Sequence, residues 1–387
     1  MPPLRILVID DSVVIRKVLS QTLASDPQLE VVAAAGDGRI GLAKIAQLHP
    51  DLITLDVEMP VMDGLETLAE VRKLYPRLPV IMFSTLTERG ATATLDALSL
   101  GASDYVTKPS NAGSMLVATE RIKADLIPKI KALCSRLLPS PAGAPAPRAP
   151  IAPTLPLPVK RPQPSGRPRP IEIVAIGTST GGPNALAEVL PNIPKDFPVP
   201  IVTVQHMPPL FTKMLADRLA ARSRIPIDEG VADAVLSPGH AWIAPGNFHM
   251  TVRRAGMSWC LGLNQDPPEN SCRPAVDVLF RSVASVYGAS ALGVVMTGMG
   301  SDGVIGSRKI LEAGGHVIIQ DEPSSVVWGM PGLVHSSGYD EAMFPLNQLA
   351  GEITRRVMES RSSRAAQSPS NYAVSHDSTH KLPVNNR

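Results

Sequence analysis

At 387 residues the chain is long enough for two or three domains, and 44% apolar residues can fill their cores. A formal net charge of +2 gives no electrostatic reason to expect nucleic acid as a partner. No apolar run reaches membrane-spanning length, no secretory leader precedes the first strand, and the three cysteines, Cys134, Cys260 and Cys272, lack metal-ligand spacing. A cytoplasmic protein without membrane insertion is expected.

Prolines divide the chain. Twelve of the 39 fall between Pro139 and Pro170, in a stretch of Pro, Ala, Arg and little else. Such a stretch cannot build a core and predicts an extended, semi-rigid linker over 135–170. Ordered domains are expected at 1–134 and 171–358, with a disordered polar tail over 359–387.

In the first domain RILVID (5–10) reads as a buried strand and SVVIRKVLSQTLAS (12–25) as a helix. LEVVAAAG, DLITLD (51–56), PVIMFS and DYVTKP continue as strands. GRIGLAKIAQL, GLETLAEVRKLY, ATATLDALSLG and a long helix from Gly113 alternate with them. Pro128 is expected to kink or end that last helix. Five strands alternating with five helices predict a doubly wound parallel sheet, with ligands at the carboxyl ends of its strands.

Those ends carry Asp10 and Asp11, then Asp56, then Ser84, then Lys108. Converging carboxylates must take up protons or hold a cation, and a hard divalent ion with oxygen ligands answers the need. The lysine and the serine hydroxyl suit phosphoryl oxygens. The competing reading makes the aspartates ordinary helix caps. Together with DVEMPVMDG (56–64), the pattern closely resembles a response-regulator receiver domain across 4–134. The resemblance implies phosphorylation of Asp56 by a histidine kinase, and Mg²⁺ held by Asp10, Asp11, Asp56 and the backbone carbonyl of Glu58. It also implies switch residues Ser84 and Tyr105, a phosphate-pairing Lys108 and a cis Lys108–Pro109 peptide.

The second domain is organised around IEIVAIGTSTGG (171–182). A buried strand stops at Gly177, and Pro183 opens a helix, which leaves Ser179 on the strand–helix turn. GTSTG also fits G-x-S-x-G, a turn that exposes a nucleophilic serine. VPIVTVQH (199–206) is a strand ending in His206, followed by the helix PLFTKMLADRLAAR. Residues 225–275, with HAWIAPG, HMTVRR and SWCLGL, read as an antiparallel excursion. AVDVLFRSVASVYG (275–288) restores the helix–strand alternation.

ALGVVMT (291–297) is a further strand, followed by GMGSDG and a helix. Asp302 in that turn suits the acid that orients a triad histidine; the plainer reading is a helix N-cap. The N–H of Met299 can face a developing oxyanion. A rival reading takes Gly298, Gly300 and Gly303 as a dinucleotide fingerprint with Asp321 as ribose-binding acid, which would make the chain a phospho-regulated oxidoreductase. It leaves Ser179 and His206 unused and pushes the Asp302 carboxylate toward a pyrophosphate. The order Ser, His, Asp also differs from that of the common α/β-hydrolases.

IGTSTGGPNAL, QHMPPLFTKMLADRL, IAPGNFHM, RPAVDVLFRS, VVMTGMGSDG and VVWGMPG resemble the chemotaxis CheB methylesterase family across 171–358. The resemblance implies a Rossmann-like, mainly parallel α/β domain that hydrolyses glutamate γ-methyl esters on chemoreceptors and deamidates their glutamines. Ser179 is the implied nucleophile, His206 the base and Asp302 its orienting acid, with N–H groups near Thr180 and Met299 as the oxyanion hole. No cofactor is expected for the esterase, and the chain is expected to act as a monomer. The unphosphorylated receiver is expected to cover the cleft. Cys272 stands where many relatives have histidine, and is expected at the periphery of the cleft. A signalling adaptor without catalysis is the remaining alternative, opposed by the complete Ser/His/Asp set.

Overall fold

A computed structural model describes residues 2–108, 115–138 and 169–365. The Lys108–Pro109 peptide, most of the expected linker and the last part of the expected tail lie outside the described residues. Among the described residues no helix is long and apolar enough to cross a membrane.

In the N-terminal domain β1 (Leu4–Ile9), α1 (Val13–Ala24), β2 (Leu29–Ala35), α2 (Gly38–Leu48), β3 (Leu52–Asp56) and α3 (Gly64–Leu74) follow in turn. Then come β4 (Val80–Ser84), α4 (Glu88–Ser99), β5 (Asp104–Thr107) and α5 (Met115–Leu133). The sheet is parallel, in the order β2-β1-β3-β4-β5. Its central strands are buried on both faces, which is why they read as unbroken apolar runs. Helices α1 to α4 are capped by Ser12, Asp37, Asp63 and Thr87. Asp10 and Asp56 therefore have no capping duty, and the cap reading of those carboxylates falls away. Helix α5 runs on through Pro128, which does not end it.

The C-terminal domain begins with β6 (Ile173–Thr178), α6 (Gly182–Val189), β7 (Ile201–Gln205), α7 (Phe211–Ala220), β8 (Ile227–Glu229) and β9 (Ala241–Ile243). It continues with β10 (His249–Ala255), β11 (Ser258–Asn264), α8 (Val276–Tyr287), β12 (Ala291–Val295), α9 (Val304–Glu312), β13 (His316–Gln320), α10 (Met330–Ser336), β14 (Ala342–Phe344) and α11 (Leu346–Ala365). Seven strands form one parallel sheet in the order β14-β13-β12-β6-β7-β9-β8. Strand β6 is the switch point: the chain leaves it toward β7 on one side and later returns to β12 on the other. A crevice opens at that point in doubly wound sheets.

Two expectations need correction. Among the described strands only β10 and β11 pair antiparallel, with isolated antiparallel bridges at Val235–Cys260 and Glu269–Cys272; β8 and β9, HAWI included, extend the main parallel sheet beyond β7. Short apolar runs carry no direction, and the stretch between Glu229 and Ala241 is long enough to cross back over the sheet. Residues 359–365, expected in the tail, are helical instead. Helix α11 continues to Ala365, and Ser360 Oγ accepts from the Ile171 N–H (3.0 Å) while Arg361 donates to the Ile171 carbonyl (3.3 Å). Ion pairs of Arg355 and Arg356 with Glu352 support this polar helix.

The domains touch. Leu95, Leu98 and Tyr105 of the first share one buried apolar cluster with Leu186, Phe211 and Leu215 of the second.

Candidate active site

Ser179 follows β6 directly and is part-buried. Its N–H donates to the Thr297 carbonyl after β12 (3.0 Å), and its carbonyl accepts from Gln205 Nε2 at the end of β7 (2.9 Å). Both neighbouring strands therefore fix the serine backbone. Thr297 Oγ1 adds a bond to the Thr180 carbonyl (2.9 Å), and its N–H donates to Gln320 Oε1 (2.8 Å). A Cβ on Gly298 would stand 2.9 Å from Ser179 Cβ, so only glycine lets this loop approach the serine. Gly181, at φ +77°, makes the sharp entry into α6.

His206 ends β7, beside β6, as the strand order requires. Its Nε2 lies 2.8 Å from Asp302 Oδ2. Asp302 is only 2% exposed and accepts three main-chain N–H bonds, from Val276 (2.6 Å), Asp277 (2.9 Å) and Gly303 (3.0 Å). The Asn270 amide donates to it as well, at 3.0 Å. Burial works against the Asp302 charge, but His206 and these donors hold its carboxyl below the usual range. It is therefore an anion, and Nε2 of His206 carries the proton. When the ring is neutral, the remaining nitrogen, Nδ1, has the lone pair. Burial opposes a charge on His206, yet Asp302 and Cys272 together hold its proton affinity above the ordinary histidine value.

Cys272 is not peripheral. Its Sγ lies 3.5 Å from His206 Nδ1, in direct contact with the ring. Sequence position alone gave no sign of this, because the contact spans two elements far apart in the chain. The Oγ of Ser179 forms no hydrogen bond among the described residues, and neither do the main-chain N–H groups of Thr180 and Met299. Asp321 is bonded within its own turn, to Ser324 (2.5 Å), and Asp277 Oδ1 already takes the Gly303 and Gly306 N–H groups at the start of α9, so the dinucleotide reading has no free fingerprint to use.

In the N-terminal domain the ligand oxygens of Asp10, Asp11 and Asp56 lie within 4.8 Å of one another. Lys108 Nζ pairs with Asp56 (2.7 Å) and Asp10 (3.2 Å). One buried oxygen of Asp10 and one of Asp56 receive no hydrogen bond and have only this ion pair. Burial, reinforced by the Asp10 charge, pushes the Asp56 carboxyl up to about 6 against the pull of Lys108. A hard cation suits this donor set. The Glu58 N–H donates to Asp56 Oδ1 (3.4 Å), which brings its loop to the site. The Ser84 hydroxyl is turned toward the Gly90 carbonyl (3.0 Å).

Tyr105 is buried and stacks on Phe211 of the second domain, with ring centroids 5.0 Å apart and planes 4° from parallel. Next to it, Asp104 Oδ2 accepts from Thr180 Oγ1 at 2.7 Å, one residue from Ser179. Asn184 Nδ2 donates to the Leu98 carbonyl (2.7 Å) and Arg218 pairs with Asp96 (2.7 Å). The α4–β5 face of the first domain thus lies on α6 and α7, at the edge of the serine crevice.

Two family models match the chain: "CheB methylesterase" over residues 174–353 and "Response regulator receiver domain" over residues 6–120. A protein-glutamate methylesterase/protein-glutamine glutaminase from Trichodesmium erythraeum (strain IMS101) is 52% identical over 357 residues, 92% of this chain and 100% of that protein. One of the same name from Nocardioides sp. (strain ATCC BAA-499 / JS614) is 49% identical over 365 residues, 94% of this chain and 98% of that protein. Among solved structures, the Thermotoga maritima CheB methylesterase catalytic domain is 40% identical, covering 48% of this chain and 97% of that one, with a TM-score of 0.47.

Proposed function

Since the chain belongs to the CheB family of protein-glutamate methylesterase/protein-glutamine glutaminases, we propose that Ser179, His206 and Asp302 are its catalytic triad and that Nδ1 of His206 is the base. The enzyme is a protein-glutamate methylesterase with glutaminase activity, joined to a receiver and fitted to chemotaxis adaptation. Its substrates are the methylated glutamates of chemoreceptors. The observation that carries the triad is the His206–Asp302 pair at 2.8 Å, set beside Ser179 at the switch point of the sheet.

In this mechanism Nδ1 takes the proton of Ser179 as Oγ attacks the ester carbonyl. Asp302 keeps the proton on Nε2 and stabilises the imidazolium. The N–H groups of Thr180 and Met299 receive the oxyanion. His206 then protonates the departing methanol, and water activated at Nδ1 releases free glutamate. With a glutamine side chain the same steps release ammonia.

Asp56 is the phospho-acceptor, supplied by a histidine kinase. Asp10, Asp11, Asp56 and the Glu58 carbonyl would hold Mg²⁺, which when bound neutralises charge on the phosphoryl oxygens. Lys108 pairs with the same oxygens. Phosphorylation draws the Ser84 hydroxyl from the Gly90 carbonyl toward the phosphoryl group and shifts the adjoining α4–β5 face. The Tyr105–Phe211 stack and the Asp104–Thr180 bond belong to that face, so the receiver is loosened from the cleft and the esterase is activated. Methanol release from methylated receptor tests the whole reading: wild type against Ser179→Ala for the nucleophile, and with or without phosphodonor for the control. An active, folded Ser179→Ala protein sinks the triad.

A further inference from the structure

Asp302 and Asp277 stand at the starts of two packed helices, and each caps the helix of the other. Asp302, ahead of α9, accepts from the first N–H groups of α8, those of Val276 (2.6 Å) and Asp277 (2.9 Å). Asp277 Oδ1, in the first turn of α8, accepts from Gly303 (3.0 Å) and Gly306 (2.6 Å) at the start of α9. Helix N-termini favour anions, so each site stabilises a carboxylate. Placed side by side and buried, the two also repel each other, and Asp277 is pushed up to about 6 by burial first and by Asp302 among its charged neighbours.

Asn270 stands between them. Its Nδ2 donates to Asp302 Oδ1 (3.0 Å) and to Asp277 Oδ2 (3.1 Å). An amide nitrogen has two N–H bonds and no charge, so it can serve both carboxylates at once. The backbone is shaped for this. Asn270 and Ser271 have φ of +52° and +62°, and Glu269 and Cys272 exchange both main-chain hydrogen bonds, at 3.1 and 2.9 Å. That is a two-residue turn with both central residues left-handed, a conformation that asparagine tolerates well. Arg281 anchors the turn through Glu269 at 2.5 and 2.6 Å.

We propose that Asn270 is a positioning residue of the esterase: its amide, shared between Asp302 and Asp277, keeps the Asp302 carboxylate ionised and aligned on His206 Nε2, so that Nδ1 remains the base. This rests on the triad reading. The charged and titratable groups around Asp302 are His206 at the end of β7, Asp277 and Arg281 on α8, and Glu269 in the turn; Cys272 touches His206 from the same turn. Loss of the amide leaves Asp302 with fewer donors beside a like charge. Such a carboxylate grips an imidazolium proton more strongly, and His206 becomes a free base only at higher pH.

The test is methanol release by the full-length chain on methylated receptor, across the acid limb of the pH profile. Asn270→Gly keeps the turn, since glycine takes positive φ freely, and removes the amide. Asn270→Asp keeps the shape and presents a third carboxylate. Asn270 is exposed, and thermal midpoints check that both variants fold. Asn270→Gly is expected to lose about tenfold in kcat with KM little changed, and its acid limb to move up by roughly half a pH unit to one. Asn270→Asp is expected to move further in the same direction. A wild-type kcat and acid limb in Asn270→Gly overturns the proposal, as does equal loss in both variants with the acid limb unmoved. Ser179→Ala, measured alongside, separates the two failures: if it is active, the triad reading falls and takes this one with it.

Discussion

His206 offers Nε2, and not Nδ1, to Asp302. In the familiar serine-protease arrangement the carboxylate takes the Nδ1–H and Nε2 is the base. In the proposed triad the roles of the ring nitrogens are exchanged, because His206 enters from the end of β7 while Asp302 approaches from beyond β12 on the far side of Ser179. Ser179→Ala and His206→Ala are each expected to lower kcat by at least about a thousandfold, and the double variant to be no worse than either. Asp302→Asn should cost less than either. The proton affinity of His206 is held up by Asp302 and Cys272 against burial, and a base works only when neutral, so activity should rise with pH through a midpoint above the ordinary histidine value. A pH–rate profile of the full-length enzyme checks the sign.

Asp56 should be the site labelled by acetyl phosphate with Mg²⁺, and Asp56→Asn should remove the label. The nucleophile must be ionised, and burial raises this carboxyl to about 6. Without cation, the labelling-competent form should therefore be lost as pH falls through about 6, earlier than for an ordinary aspartate. The linked stability has the opposite sense. The folded chain binds this proton more tightly than the unfolded chain, so stability contributed by Asp56 is present below the unfolded value and declines as pH rises through about 6. Asp56→Asn should flatten that part of a pH–Tm curve, and Mg²⁺ should move the midpoint down. Labelling that persists on the same peptide in Asp56→Asn places the acceptor elsewhere.

Cys272 should be the thiol through which the esterase is poisoned. It is part-exposed, whereas Cys134 and Cys260 are buried, and burial pushes the Cys134 thiol up to about 12. A haloacetamide should therefore alkylate Cys272 first. The Sγ that would carry the adduct lies 3.5 Å from Nδ1, the proposed acceptor of the serine proton, so activity should fall with the extent of labelling. Cys272→Ser should remain active and become resistant. Mass spectrometry of labelled peptides beside residual methanol release decides it; full activity with Cys272 alkylated contradicts the contact.

The interface should divide into residues that matter and residues that do not. Tyr105→Ala removes a buried ring stacked at 5.0 Å on Phe211 and should raise basal activity of the unphosphorylated chain by about two- to tenfold, since such stacks contribute about 0.5–1.5 kcal/mol beyond burial. Asp96→Ala removes an ion pair whose side chains are 32% and 45% exposed, and should change activity little. Deleting residues 1–170 should exceed both. If the truncated enzyme is instead less active, the receiver is an activating subunit.

Much of this was legible from strand ends. Apolar runs mark parallel strands, the residue after each run lies at the carboxyl edge, and that logic finds Asp10, Asp56, Lys108, Ser179 and His206 without coordinates. Asp302 was legible as well, but not the helix that it caps, because its partners Val276 and Asp277 begin another element. The pairing of Asn270 with Asp302 depends on two left-handed residues whose letters, Asn-Ser, are common in any loop. Thr297 and Gln205 read as strand residues, and their side-chain bonds to the serine turn left no pattern in the chain. The direction of β8 and β9 was hidden by their shortness. The sequence does not mark the end of helix α11, because its last turns are polar and its support comes from ion pairs and from Ile171, far away in sequence.

If the receiver covers the cleft as proposed, the bond from Thr180 to Asp104 sets the kind of inhibition, and not only its strength. A cover that sits within one residue of the nucleophile occupies space that the receptor helix needs, so cover and substrate are rivals for one surface. Rivalry of this form scales the apparent affinity by the uncovered fraction and leaves the turnover of bound substrate alone. The unphosphorylated chain should then show a raised KM with a near-normal kcat. A high local concentration of receptor would partly displace the cover by mass action, so the resting rate of demethylation would follow that concentration before any phosphoryl group arrives.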